Sequence, residues 1–582
     1  MRLFLYTTEM AVLKPLIDLA EICYAQGIRH VVISPGSRSA ALTLAFSRHE
    51  GFKKHVVMDE RSAGFIALGM AQQLNQTVVL ICTSGSAAYN YAPAVTEAYF
   101  QQISLLILTA DRPAEWIHQL DGQTIYQADI YGKHVKKSYT LPSDYGHKDA
   151  RWMINRTANE AVILTQSKPF GPVHINVPIR EPFYPENDEE LAASNSVRAI
   201  RKVETESTLP IETWHEILNE WDSAERILIA GGQHKSSEKL DVILAKISEE
   251  LDIPILGDSI SNQKGNDDFI TYQDLFLPSV NPDKLRPDLL ITYGLSFISK
   301  AFKQFLQNNP AIQHWHIGED IHLVDTFFSL TKSIPVSEQY FFENLFEKID
   351  YQLFVQGSDP ENDSSYKQDW ISYNLKAQSI SNKYLENLSP LSDLTSVNTL
   401  LKSLPDGSQL HVANSMPVRY VNALGSSASH LEIFANRGTS GIDGCVSTAV
   451  GAAMVNNKPT FLLVGDVAFL YDRNGLLIQP LPDNLKVIVL NNSGGNIFRM
   501  IDGPVGLPEL EKYFETRHPF TAKRTSEDSK ISYFQAGNME MLKKELNTFL
   551  MSKTISLLEI FTDPEENAKS WKGLKKHMRS NW

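Results

Sequence analysis

The chain has 582 residues, 43% of them hydrophobic and 21% charged, with a formal net charge of -14 at pH 7 and a pI near 5.6. Single hydrophobic cores stop growing at roughly 250–300 residues, so this length calls for several domains of an ordinary globular protein. The acidic balance argues against nucleic acid or anionic lipid as a partner, and Cys23, Cys82 and Cys445, an odd number without metal-ligand spacing, argue against a disulfide framework or zinc site and for a reducing cytoplasm.

In chain order, MRLFLYTTEM carries one basic residue and a very short apolar run without a small-residue cleavage site, which predicts no signal peptide. No later apolar run approaches the roughly 18 residues of a bilayer-spanning helix. From Ala11 the pattern alternates: a helical stretch to Gln26, HVVIS, AALTLAF, HVVM, a helix over 60–73, TVVLICTSG, a helical SAAYNYAPAVTEAYF and SLLILTADRP. Short β-branched runs that end in Gly, Ser, Asp or Pro and lead into helices predict parallel strands with crossover helices. The polar, acidic stretch 186–208 reads as a linker.

Alternation resumes with RILIAGGQ, a helical SEKLDVILAKISEEL, IPILGD and PDLLITYG, and breaks again at QGSDPENDSS from Gln356. A third block holds HLEIFANRG, a small-residue helix from about Gly444, TFLLVGD, a helix from about Asn474, KVIVLNN and TISLLEIFTD. The first and third blocks share a rhythm. The expected fold is α/β, with three doubly wound parallel-sheet domains at 1–185, 209–355 and 390–582, the outer two alike.

Asp466 closes one predicted strand in GDVAFLYDRNGLL and Asn492 closes the next in VIVLNNSGG, 26 residues on. A carboxylate and an amide one crossover apart can converge on a hard cation and leave sites for diphosphate oxygens, although each residue alone is commonplace at turns and caps. The pair resembles the diphosphate-binding signature of thiamine diphosphate enzymes. That resemblance implies Mg2+ or Mn2+ held by Asp466, Asn492 and the carbonyl of Gly494, with Gly465 beside the diphosphate. It also implies that Glu60, in DERSAGFIALGMA, is the catalytic carboxylate bonded to the cofactor's aminopyrimidine, and that Ile442 lies under the thiazolium. Gly438, Gly441 and Gly444 fit either tight turns or close approach to the cofactor. Ile497 and Phe498 are candidates for an apolar wall near it.

SPGSRSAALTLA, LTADRPAE, GQTI, NSMPVR and NRGTSGIDG resemble, in particular, the synthase branch of menaquinone biosynthesis, and with the other segments they span residues 34–498. Another thiamine enzyme, such as an acetolactate synthase or a 2-oxoacid decarboxylase, would share the metal and glutamate segments but not SPGSR and DRNGLL. The resemblance implies 2-oxoglutarate and isochorismate as substrates, which together bring four carboxylates to a net-acidic protein. Arg38, Arg112, Lys300, Arg419 and Arg437 are the expected cations, with Ser37, Gln123 and Ser415 as neutral donors. It further implies a homo-oligomer with active sites between subunits, pyrimidine- and diphosphate-binding domains flanking a central one, and, since RILIAGGQ lacks a GxGxxG run, a central domain without nucleotide.

Overall fold

The computed structural model describes residues 13–181, 184, 193–194, 197–266, 268–320, 322–356, 364–501 and 503–582. The N-terminal decapeptide, the first part of the acidic stretch from Glu186 and the centre of the QGSDPENDSS break lie outside the described residues.

Three parallel sheets flanked by helices carry the fold, as expected. The first contains β1 (His30–Ile33), β2 (Lys53–Val56), β3 (Val78–Cys82), β4 (Leu105–Asp111), β5 (Ser138–Thr140) and β6 (Val173–Pro178), in the order β2-β1-β3-β4-β6-β5. The second contains β7 (Ile227–Gly231), β8 (Ile255–Gly257), β9 (Leu289–Tyr293), β10 (Gln313–Ile317) and β11 (Lys332–Ile334), ordered β11-β10-β9-β7-β8. The third contains β12 (Gln409–Val412), β13 (Glu432–Phe434), β14 (Thr460–Gly465), β15 (Leu485–Asn491), β16 (Ser532–Ala536) and β17 (Ser556–Phe561), ordered β13-β12-β14-β15-β17-β16. The first and third orders are the same permutation.

Val31 pairs with Val79, Leu80 with Ile107, Leu410 with Phe461 and Leu490 with Ile560. Every residue of β3, β4, β6 and β15 is buried, as expected of parallel strands covered on both faces. Edge strand β2 is mostly exposed, and Lys53 and Lys54 blunt it against further pairing.

The chain forms two compact units: Met1–Glu204 with Asn436–Asn457 and Leu470–Leu485, and Thr205–Ala435 with Lys458–Phe469 and Lys486–Trp582. In the first, the core runs from Leu16 and Ile22 through Val79 and Leu108 to Val177. In the second, one core gathers around Trp214, Ile291 and Phe341, and another joins Tyr272, Trp370 and Leu394 to Leu463, Leu490 and Trp571.

Three local expectations are corrected. The segment 86–100 is two helices, Ser86–Asn90 and Ala92–Phe100, because Pro93 cannot donate to the preceding turn. The helix expected near Asn474 starts instead at the strand end as Asp466–Asp472, and Arg473–Leu476 is a single 3-10 turn. Ser364 and Ser365, read as part of a break, begin the helix Ser364–Glu386. The described remainder of the acidic stretch is tied down: Ser194 bonds Asp18 through its amide and hydroxyl, each at 2.7 Å, and Asn159 bonds the backbone of Arg198 and Ile200. Among the described residues no helix is long and apolar enough to cross a membrane.

Candidate active site of a cofactor-dependent enzyme

An open parallel sheet forms a crevice beyond the carboxyl ends of its strands where the strand order reverses. In the first sheet that point lies between β1 and β3, and in the third between β12 and β14. Ser37 and Arg38 follow β1, Ser415 follows β12 and Asp466 follows β14. Glu60 follows second strand β2 and Arg437 follows second strand β13, while Arg112 and Asn492 each follow the fourth strand of their sheet.

In the second unit, Asp466 is 3% exposed and Asn492 8%. Asp466 Oδ1 accepts from the amide of Val467 at 2.7 Å and Oδ2 from the amide of Gly494 at 2.9 Å, with His518 Nε2 at 3.4 Å. Asn492 donates through Nδ2 to Asp393 at 3.0 Å, and its Oδ1 is buried with no hydrogen-bond partner among the described residues. A Cβ on Gly494 would stand 2.6 Å from the carbonyl of Glu515, which keeps this turn glycine. Glu515 in turn takes Arg499 through both carboxylate oxygens at 2.8 Å.

One carboxylate, an orphaned amide oxygen and main-chain carbonyls form an oxygen donor set suited to a hard divalent cation that keeps positions open for phosphate oxygens. Among the described residues no group of three or more His, Cys, Asp or Glu offers an alternative centre. Asp393, which the sequence did not single out, orients Asn492 and also accepts from Thr562 at 2.7 Å; burial pushes its carboxyl up to about 6. Ile497 and Phe498 are half-buried on the short helix Ile497–Met500, the latter 5.5 Å from the Phe514 ring.

Lys300 is exposed at the start of the helix Lys300–Asn308, and Arg419 is exposed on Met416–Ala423, its guanidinium donating to the carbonyl of Ser415. Ser415 has φ +74°, the kink that turns β12 into this helix.

In the first unit, Glu60 is half-buried and opens the helix Glu60–Leu74, capped by Asp59, which accepts from the amides of Arg61 at 2.9 Å and Ser62 at 3.4 Å. The carboxylate faces Cys82 at the end of β3 and Tyr91: burial holds that thiol and phenol well above their usual values, and the charge of Glu60 adds to both. The other oxygen of Asp59 accepts from Asn474 at 2.8 Å, and Arg61 donates to the carbonyl of Tyr471 at 2.8 Å. Asp472 takes the amide and hydroxyl of Ser447, each at 2.7 Å, and burial pushes it up to about 7. The DRNGL segment thus fastens the start of the Glu60 helix and the helix Cys445–Ala453 together, a role its motif status did not reveal.

Arg437 and Ile442 are half-buried in the loop after β13. Glu97, 1% exposed, holds that loop: it accepts from the amides of Gly438 and Thr439, both at 2.7 Å, and from the Thr439 hydroxyl. A Cβ on Gly444 would meet the Phe65 ring at 2.0 Å, and one on Gly438 the Glu97 carbonyl at 2.7 Å, so both glycines answer to packing. At Gly441 a Cβ would crowd only the neighbouring Asp443 side chain, which leaves room for a ligand.

The arginines near β1 and β4 are more engaged than expected. Arg38 is 9% exposed and donates to the carbonyl of Ile179 at 3.1 Å, with Glu181 at 3.8 Å; Ser37 beside it is exposed. Arg112 ion-pairs with Asp121 and donates to the carbonyl of Gly122 at 2.7 Å, so it anchors the loop that presents exposed Gln123 at φ +57°. Beneath it, buried Gln127 accepts from the amide of Gly85 at 3.1 Å and donates to Asn176 at 2.9 Å, and Asn176 donates to Asp111 at 2.8 Å.

Residues 18–132 match the family model described as "Thiamine pyrophosphate enzyme, N-terminal TPP binding domain", which puts a thiamine diphosphate class to this pair of like sheets. The chain is 41% identical to a protein of Cytophaga hutchinsonii over 98% of its own length and 100% of the relative's. It is 36% identical to a protein of Flavobacterium psychrophilum, over 94% of this chain and 96% of that one, and 36% identical to one of Porphyromonas gingivalis, over 95% and 94%. All three are named 2-succinyl-5-enolpyruvyl-6-hydroxy-3-cyclohexene-1-carboxylate synthase, and the chain belongs to this family of thiamine-diphosphate-dependent enzymes.

Proposed function

We propose that this enzyme removes carbon dioxide from 2-oxoglutarate and adds the remaining four-carbon unit to isochorismate, a reaction that yields the product the relatives' name states. The observation that carries the reading is the buried, unpartnered Asn492 oxygen near Asp466, a donor set that would hold Mg2+ or Mn2+ and leave positions open for phosphate oxygens. When bound, thiamine diphosphate supplies an electron sink that lets a 2-oxo acid lose carbon dioxide and keeps the acyl carbon nucleophilic.

The chain's own residues do the rest. Asp466, Asn492 and the carbonyl of Gly494 hold the metal. Glu60, kept at the head of its helix by Asp59, shares a proton with a nitrogen of the aminopyrimidine. Ile442 supports the thiazolium, Ile497 and Phe498 exclude water, and Arg38, Arg437, Lys300 and Arg419, with Ser37, Gln123 and Ser415, meet substrate carboxylates and hydroxyls. Arg112 acts through the Gln123 loop. The reading includes active sites completed between subunits of a homo-oligomer, three domains, and residence in the cytoplasm.

The test is loss of isochorismate absorbance with enzyme, thiamine diphosphate, Mg2+ and 2-oxoglutarate. Glu60→Gln lowers the rate by about 10²–10⁴-fold, the usual contribution of a positioned acid or base, with cofactor affinity retained. Decarboxylation of 2-oxoglutarate with isochorismate untouched overturns the acceptor assignment alone.

A further inference from the structure

The second unit contains a cluster of exposed cations, only half of which have been described so far. The helix Pro564–Ser580 and the helix Met416–Ala423 both pack against the short helix Gln273–Phe276. Trp571, Lys575 and Arg579 recur at helical spacing and so share one face. Trp571 meets the Tyr420 ring edge to face at 5.3 Å, which sets it beside Arg419, and the Lys575 ammonium stands 4.7 Å from the Trp571 ring centroid.

Asp274, on the helix Gln273–Phe276, accepts from the Ser299 hydroxyl at 2.8 Å and the Ala301 amide at 3.3 Å, so it sits at the head of the Lys300 helix. Asp274 attracts both Arg419 and Lys575, and Lys300 opens the helix whose first turn Asp274 caps. Burial holds the Lys575 ammonium below its usual value against the pull of Asp274, and the charges of Arg579, Arg419 and Lys300 push the same way. Lys300, Lys575 and Arg579 have no carboxylate within ion-pair distance among the described residues, yet the whole chain carries a net charge of -14. All four cations are exposed, and cations that repel one another are stabilised by an anionic ligand.

Resting on the functional reading above, we propose that Lys575 binds a carboxylate of one of the two substrates, together with Lys300 and Arg419. The Lys575 ammonium rests over the Trp571 ring, a cation–π contact that holds it near Tyr420.

The experiment compares the holoenzyme with Lys575→Met, which keeps the stem, with Lys575→Arg, and with Lys572→Met, one turn earlier on the same helix. Lys575→Met raises KM for one substrate by about tenfold with kcat changed by less than about twofold, as expected for loss of a charge-assisted bond made equally in ground and transition states. Lys575→Arg recovers most of that loss, and Lys572→Met moves neither KM. Which KM rises names the carboxylate: 2-oxoglutarate or isochorismate. Unchanged KM values for both, or a fall in kcat alone with a lowered melting temperature, overturn the proposal. If the unmodified enzyme leaves isochorismate untouched, the functional reading falls, and calorimetric titration with 2-oxoglutarate and with isochorismate separately decides whether Lys575 binds either one.

Discussion

Asn492 shows how one side chain is assigned two duties by its two ends. Its Nδ2 is committed to Asp393, which leaves only Oδ1 for a cation. On the proposed metal site, Asn492→Ala removes a donor and strands a buried carboxylate, so the dissociation constant for Mg2+ in the presence of thiamine diphosphate rises by about tenfold or more, by the cost of an unmet buried partner. Calorimetric metal titration measures this, and an unchanged constant would remove Asn492 from the donor set. Asp466 and Asn492 were legible in the sequence because both close strands that are neighbours in the chain. Asp393 was not, since it lies 99 residues from Asn492 in an ordinary capping sequence. Glu97 was hidden in the same way, 341 residues from the amide it holds.

At the scale of elements, loops that carry chemistry are held by carboxylates from helices. Glu97 fixes the Arg437 loop, and Asp59 and Asp472 fix the head of the Glu60 helix through the DRNGL segment. Glu97→Ala loses several bonds to one buried charge and destabilises the protein by about 2–4 kcal/mol, on the scale of buried charge-assisted bonds. On the proposed role of Arg437 in substrate binding, it also raises KM for that substrate, while Glu97→Gln recovers part of both losses; denaturant midpoints and steady-state rates check the pair. The close passage of the Glu60 helix and Cys445–Ala453 follows from small residues: a Cβ on Gly69 would lie 2.0 Å from the Thr448 carbonyl, and one on Gly451 2.0 Å from the Ile66 carbonyl. Composition made that helix look merely compact; only its partner explains why it has to be.

At the scale of the whole molecule, buried imidazoles set the acid limit. Burial, with neighbouring cations for some, lowers His30, His55, His314 and His411 from 6.5 to about 4 and His174 to about 3. A base with a depressed folded pKa stabilises the fold fully above its unfolded value, and that contribution is lost as pH falls toward the folded one. Stability from these groups therefore declines from about pH 6.5 to about pH 4. Asp472, pushed to about 7, and Asp393 and Asp241, each to about 6, act oppositely, gaining stability as pH falls, as do Asp111, Asp222 and Asp258, but the imidazole shifts are on the whole larger. The urea midpoint is expected to drop between pH 6.5 and 4.5, and a flat or rising midpoint contradicts the assignment. The α/β class was readable from fully apolar strands such as VVLIC and LLILTAD. The complete strand orders were not, because edge members such as SYT and SYFQA are short and polar, and only their pairing with β6 and β17 makes them strands.

The repeated strand order in the first and third sheets bears on how the chain reaches its native state. Two stretches of one polypeptide specify the same backbone permutation, so hydrogen bonding alone does not distinguish a strand's proper neighbours from their counterparts in the other sheet. Discrimination falls to side chains and to order of synthesis: the first sheet is complete by Pro178, before β12 begins at Gln409. A ribosome-bound nascent chain therefore offers the earlier strands no impostors, whereas a fully denatured chain refolding from urea meets both sets at once.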